Sequence, residues 1–324
     1  MINVTRRAML AGLSAAAVLR PDRAFAAWPE RSITLIHGVA PGGGVDVTAR
    51  LVADGLSRRL GQPMIVEPKP GAGTTIGSAL IARATPDGHT LGFIPGSHAV
   101  SAAMYKSLPY RPIDDFTIVG QVIDAPFVVV TYGGHEIRTV PDLVRIAKAS
   151  ANPLLCGVPG RGTPQHLLIE YFSRLAGFKI QSVPFRGGNP ALTELLGKRL
   201  DLLIDPPIAI IGQIKSGQLQ AIGVTGASRF AGLPEVGTIA EAGFPGFSIT
   251  TWMGVVGPAN LPAPITARLN KEINELMAEP AVNDRIRAMG SEPRAGTPEQ
   301  FKEKIASDIA RWTKVIAEAG LERI

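Results

Sequence analysis

The chain has 324 residues and a formal net charge of +6, with 45% hydrophobic and 19% charged residues. That length is more than one ordinary core holds and fits two lobes; the 36 Gly and 27 Pro stand between periodic segments, as loop punctuation in a globular protein. No Lys/Arg cluster interleaved with aromatics occurs, which argues against nucleic acid as a partner.

The N-terminus reads as an export signal. Arg6 and Arg7 precede an apolar run, Ala8 to Leu19, of about 12 residues, too short for the roughly 20 that span a bilayer. Ala24-Phe25-Ala26 is a small-x-small cleavage site, so residues 1–26 are predicted to be a signal peptide and the mature chain to start at Ala27 in the periplasm. Thr5-Arg6-Arg7-Ala8-Met9-Leu10 resembles a twin-arginine signal, with an ordinary secretory signal as the alternative. Loss of the segment's four Arg and one Asp leaves a net charge of +3.

Periodicity next predicts a strand over 32–37, a helix over 46–60, a strand over 64–67, a helix over 74–83 and a strand over 90–94. Residues 95–115 are expected to be irregular, because Leu108-Pro109-Tyr110-Arg111-Pro112 rules out a regular helix there. Strands over 118–123 and 127–132 flank Asp124-Ala125-Pro126, after which the alternation restarts: helices over 140–149, 164–176, 190–196 and 208–215, strands over 154–157, 179–183, 200–204 and 219–225. The strand 219–225 is a candidate for carrying the chain back to the first lobe. The run 251–256 and helices over 265–277 and 298–319 complete the chain. Strands alternating with helices predict an α/β fold of two lobes, each a mostly parallel sheet flanked by helices. The expected boundaries are 27–124 for the first part of lobe one, 125–226 for lobe two and 227–324 for the rest of lobe one, with a last helix able to lie across lobe two.

Four glycine-rich loops stand just before helix candidates: Ala40 to Asp46, Pro70 to Gly77, Gly157 to Pro164 and Phe185 to Pro190. Ligands of open α/β sheets bind at the carboxyl ends of strands. Glycine lets the backbone approach a ligand, and a helix start presents unpaired N–H groups and the positive end of its dipole. Together they make an anion site that needs no charged side chain. Four charge-assisted hydrogen bonds at about 1.5–3 kcal/mol each give about 6–12 kcal/mol before ordering costs, against the roughly 8 kcal/mol of micromolar affinity. The candidate contacts are Val39, Ala40, Gly42, Gly43 and Asp46 in the first loop; Gly73 and Thr74 in the second; Val158, Gly160, Arg161 and Thr163 in the third; Arg186 and Gly187 in the fourth; and Asp205, which ends an apolar strand at the same edge. Asp46 is expected chiefly as a helix cap, because a free carboxylate would repel an acid, and Thr163 and Asn189 double as cap candidates.

Enzyme signatures are absent. The five His (His37, His89, His98, His135, His166) are scattered, with no HExxH, no GxSxG and no GxxxxGK[ST], so no catalytic residue, metal or cofactor is expected. Cys156 ends the apolar stretch Pro153-Leu154-Leu155 and is expected to be packed.

An ordered set of segments resembles the receptor family of tripartite tricarboxylate transporters, also called Bug receptors. It runs through Pro29 to Ile36, Pro41-Gly42-Gly43-Gly44-Val45-Asp46, Leu60 to Glu67, Pro70-Gly71-Ala72-Gly73, Pro86 to Leu91, Gly160 to Leu167, Val183 to Gly188 and Ala240-Glu241-Ala242-Gly243 to Trp252. The resemblance implies a monomeric periplasmic-binding-protein (Venus flytrap) fold that captures a carboxylate and delivers it to membrane transporter subunits. It also implies that the Val39–Asp46 loop faces the Gly157–Thr163 loop across the cleft, helped by the Pro70–Thr74 and Phe185–Gly188 turns. Departures from the family pattern are His37 for an apolar residue, Gly38-Val39 for a Pro-Phe pair, Pro68 for Asn, Val158-Pro159 for a small polar pair and Arg161 for a small residue. A sensory protein presenting the carboxylate to a membrane histidine kinase is the alternative reading; a hydrolase or isomerase using His37 or His166 is the least favoured.

Overall fold

The computed structural model describes residues 28–324; the predicted signal peptide and its cleavage site lie outside the described residues. In chain order, β1 (Ile33–His37) leads into α1 (Gly44–Leu60). β2 (Met64–Pro68) leads through a 3-10 turn (Ala72–Thr74) into α2 (Thr75–Ala82), and β3 (Thr90–Pro95) into α3 (Ser97–Met104). β4 (Phe116–Pro126) and β5 (Val128–Tyr132) follow with only Phe127 between them. Next come α4 (Val140–Ala149), β6 (Leu154–Val158), α5 (Pro164–Ala176), β7 (Ile180–Pro184), α6 (Gly188–Leu196), β8 (Leu202–Asp205), α7 (Pro207–Lys215) and β9 (Leu219–Val224). The tail holds β10 (Thr250–Pro258), α8 (Ala263–Ala278), α9 (Pro280–Ala288), β11 (Glu292–Pro293) and α10 (Pro298–Glu318).

Two sheets form, ordered β11-β4-β10-β3-β1-β2 and β7-β6-β8-β5-β9. In the first, β1 runs parallel to β2 and β3; in the second, β6 runs parallel to β7 and β8. β10 and β5 are antiparallel to both neighbours, and the short β11 is antiparallel to β4. Both sheets are therefore mixed, and the reason is topological. β5 and β10 are the strands by which the chain enters a sheet directly from the other one, without the helical crossover that would make the pairing parallel. Almost every residue of β3 and β5 is buried, as strands covered on both faces must be.

Three expectations are corrected. Residues 97–104 form α3, because the proline pair at 109 and 112 breaks helix only downstream and nothing in Ser97–Met104 does so. The strand predicted over 118–123 runs on through Pro126, held by Thr250, Thr251 and Trp252 of β10. The strand near 219–225 stays in the second sheet, and the return to the first is made by β10.

The last helix begins with a capping box, Thr297 and Gln300 bonding each other's backbone N–H, and buries Phe301, Ile305 and Trp312. Its far end reaches α5, where the Arg174 guanidinium donates to the Glu318 carbonyl. Its near end explains a glycine: a methyl on Gly254 of β10 would overlap the Phe301 ring and stand 2.7 Å from the Gly120 carbonyl. Gly254→Ala is expected to destabilise the protein by about 1–3 kcal/mol through overpacking, read from the denaturation midpoint.

Candidate functional site

The first glycine loop is held from inside. His37, the last residue of β1, is fully buried, and its Nε2 lies 3.0 Å from Asp46 Oδ1. The other Asp46 oxygen accepts the Gly42 N–H and the Arg50 Nε–H, each at 3.0 Å. His37 Nδ1 accepts the Val39 N–H at 3.4 Å, so Nε2 carries the proton that goes to Asp46. Burial pushes the Asp46 carboxyl up, but hydrogen bonds from Arg50, Gly42 and His37 outweigh it and hold the pKa at about 2. Asp46 thus reaches back from the third helical position to the loop and shapes it, with both oxygens occupied. This is the structural role expected of Asp46 at its helix start, and both carboxylate oxygens serve it. The Gly42 N–H is likewise taken. Gly43, the residue before α1, has φ −83°, and a methyl there would meet nothing closer than the Ala40 carbonyl at 3.8 Å. Gly43 therefore faces open space, with the unpaired N–H groups of the helix start around it.

The second loop is strained. Ala72, Gly73 and Thr74 have φ of 45°, 63° and 82° in succession, a left-handed run that is unfavourable for a β-branched residue. Thr74 is buried and its hydroxyl has no hydrogen-bond partner. The Ser101 hydroxyl of α3 holds the turn by donating to the Gly73 carbonyl at 2.6 Å. The first two loops touch at Gly38, where a methyl would lie 2.7 Å from the Thr74 Cα. Gly38 is what lets the Thr74 turn close on β1.

The third and fourth loops are bonded to each other: Phe185 N–H donates to the Val158 carbonyl and Gly187 N–H to the Pro159 carbonyl. Gly160 and Gly187 have φ of 152° and 111°, conformations that side chains rarely adopt. Thr163 caps α5 by accepting the His166 N–H, and its own proton goes to the Gly160 carbonyl at 2.8 Å. With its proton committed, Thr163 acts as a cap and not as a donor to ligand. Val158 is fully buried and its carbonyl accepts the Phe185 N–H, while the residue also lines a small cavity with Arg161 and His166. Asn189 lies inside α6, whose cap is Gly187. His166 Nδ1 accepts the Gly162 N–H at 3.1 Å, and its Nε2 faces Glu170 at 3.8 Å, itself held by the Ser182 hydroxyl. Arg161 and Arg186 are exposed.

Asp205 ends β8 beside the start of α6. Its Oδ1 accepts from Gln165 at 2.9 Å, and burial pushes its pKa up to about 6 against that hydrogen bond. Cys156 is buried and burial pushes its thiol up, so it is packing, not a nucleophile. Among the described residues no group of three or more His, Cys, Asp or Glu is placed to hold a metal ion, and no helix is long and apolar enough to cross a membrane.

The loops meet across the two lobes. A methyl on Gly44, at the start of α1, would stand 2.7 Å from Ile208 at the start of α7, and one on Gly162 would stand 3.4 Å from Met104 at the end of α3. Each lobe therefore sets one glycine-rich loop against the other lobe. Sequence reasoning missed Arg50, Ser101, Gln165 and Ile208. Only Arg50 carried a signal, its i+4 spacing from Asp46.

The profile of the tripartite tricarboxylate transporter family receptor matches residues 48–321. Protein BugT of Bordetella pertussis is 33% identical over 98% of this chain and 99% of its own. The periplasmic binding protein BugD superposes with a TM-score of 0.83 at 30% identity, covering 91% of this chain and 99% of its own. Rpa4515 of R. palustris, solved with adipate, gives a TM-score of 0.86 at 31% identity over 92% of this chain and 100% of its own.

Proposed function

The chain belongs to the tripartite tricarboxylate transporter receptor family, and from that premise we propose that it binds a small carboxylate between its lobes, as a monomer and without turnover, and hands it to the membrane subunits of a transporter. The observations that support this reading are two close approaches between the lobes: Gly44 at the start of α1 against Ile208, and Gly162, in the loop before α5, against Met104. Gly73, Thr74, Gly160, Arg186, Gly187 and Asp205 complete the proposed site, with Val39 and Ala40 at its edge and Arg161 on the rim. The Thr74 hydroxyl, buried and unpartnered, is the side-chain donor best placed for a ligand oxygen. Adipate in the structurally similar Rpa4515 points to the same ligand class. Export to the periplasm follows from the receptor family, and Arg6-Arg7 supports the twin-arginine route.

A thermal-shift screen over adipate, malate, benzoate and related acids tests the reading. A ligand at about 100 times its Kd stabilises by about 2.7 kcal/mol, which the melting curve resolves. Gly43→Val adds a side chain where the fold leaves room and the ligand would sit. It is expected to keep the melting temperature and weaken calorimetric affinity for the best acid by about tenfold or more. Silence across the screen, or equal affinity in the variant, would count against the site.

A further inference from the structure

Both gripping loops are braced by the same device. In lobe one, His37 takes the Val39 N–H on Nδ1 and turns Nε2 to Asp46. In lobe two, His166 takes the Gly162 N–H on Nδ1 and turns Nε2 to Glu170. The two imidazoles sit on unrelated elements, the end of a strand and the first turn of a helix, yet each accepts a loop amide on Nδ1, and His37 passes the link on to the Asp46 carboxylate at 3.0 Å. A ring nitrogen that accepts an amide proton carries none itself. Each loop shape therefore requires a neutral imidazole protonated at Nε2.

Resting on the carboxylate-receptor reading for its functional consequence, we propose that His37 and His166 are matched positioning residues, each presetting its half of the anion site by accepting a loop amide on Nδ1. The charged groups around His37 are Asp46 and, behind it, Arg50, both on α1. Those around His166 are Glu170 on its own helix and Arg161 in the loop, with the Ser182 hydroxyl of β7 closing the cluster. Burial lowers the His166 pKa, with Glu170 opposing and Arg161 assisting, in keeping with a ring that stays neutral while it braces the loop.

Two measurements on the full mature chain test this. The first needs no ligand: imidazole ¹⁵N spectra at about pH 7.5 report the tautomer of each ring. Both are expected as Nε2–H; an Nδ1–H tautomer or an imidazolium at either position overturns the assignment. The second is calorimetry with adipate at about pH 7.5 on two double variants. His37→Leu, His166→Leu, which can no longer accept the amides, is expected to weaken affinity about tenfold, and His37→Asn, His166→Asn, which still can, to recover most of that loss. Native affinity in the leucine variant, or an equal loss in both, overturns the proposal. Failure of adipate and the other screened acids to bind at any pH would instead remove the carboxylate reading, leaving the bracing role to stand or fall on the tautomers.

Discussion

Asp46→Ala is expected to lower affinity for the bound acid by about a hundredfold and stability by about 3 kcal/mol, the combination that marks a loop anchor. Three donors converge on this carboxylate: the His37 ring, the Gly42 amide and the Arg50 guanidinium. His37 is fully buried, so truncation leaves its Nε2–H without a partner in the core. Gly42 loses the bond that bends the loop back over the helix start, and the amides around Gly43 lose their fixed direction. Asp46→Asn separates charge from shape, keeping one acceptor oxygen while offering His37 or Arg50 an unwanted N–H. It is expected to fall between wild type and Ala in both measurements. The depressed pKa adds a pH signature. With a folded value of about 2 against an ordinary 3.8, the ionised carboxylate stabilises the native state at every pH above its unfolded value. That contribution, roughly 2 kcal/mol, fades as pH falls through the folded value. Acid denaturation of Asp46→Asn should therefore begin from lower stability at neutral pH and lose less between about pH 4 and about pH 2. Parallel acid transitions in the two proteins would show that Asp46 carries no such linkage.

What could be read from the sequence was local. The glycine loops stand out because special backbone geometry needs special residues, and the helices after them carry their own start signals, as Thr163-Pro164 does for α5. Capping residues were harder to separate from ligand contacts, because Thr163 and Asp46 use the same oxygen chemistry for either task. α3 was hidden by prolines that lie beyond its end. The reversed strands β5 and β10 depend on which sheet the chain has just left, information that no window of sequence holds. Gln165 and Asp205 meet across 40 positions and Ser101 and Gly73 across 28, so neither pair had a motif to announce it. Thr74 defeats propensity outright: a β-branched residue in left-handed backbone is among the least expected assignments, and only the packing of Gly38 beneath it explains the conformation.

Thr225→Val carries the largest effect expected away from the crevice. Where the chain crosses between sheets, three segments lie side by side: Phe127 between β4 and β5, Thr225 after β9, and Ile249 before β10. Thr225 N–H donates to the Phe127 carbonyl at 3.0 Å, and Ile249 N–H donates to the Thr225 carbonyl at 2.9 Å. The Thr225 hydroxyl then does a second round of bonding, accepting the Phe127 N–H at 2.9 Å and donating to the Ile249 carbonyl at 2.5 Å. One side chain thus satisfies a buried donor and a buried acceptor on two different crossing strands. Valine keeps the volume and the β-branched shape, so nothing is lost in packing, yet both backbone groups are orphaned where water cannot replace the hydroxyl. A loss of about 2–4 kcal/mol is expected in chemical denaturation, from two unsatisfied groups at about 1–2 kcal/mol each. Thr225→Ser tests the cause, since it restores both bonds at the expense of one methyl and should recover most of that loss. Because the lost bonds are local to the crossing, amide exchange at Phe127 should quicken in the valine variant while β1 and β6 keep their protection. Should valine and serine prove equally stable, the hydroxyl would be an incidental occupant of the crossing and not its lock.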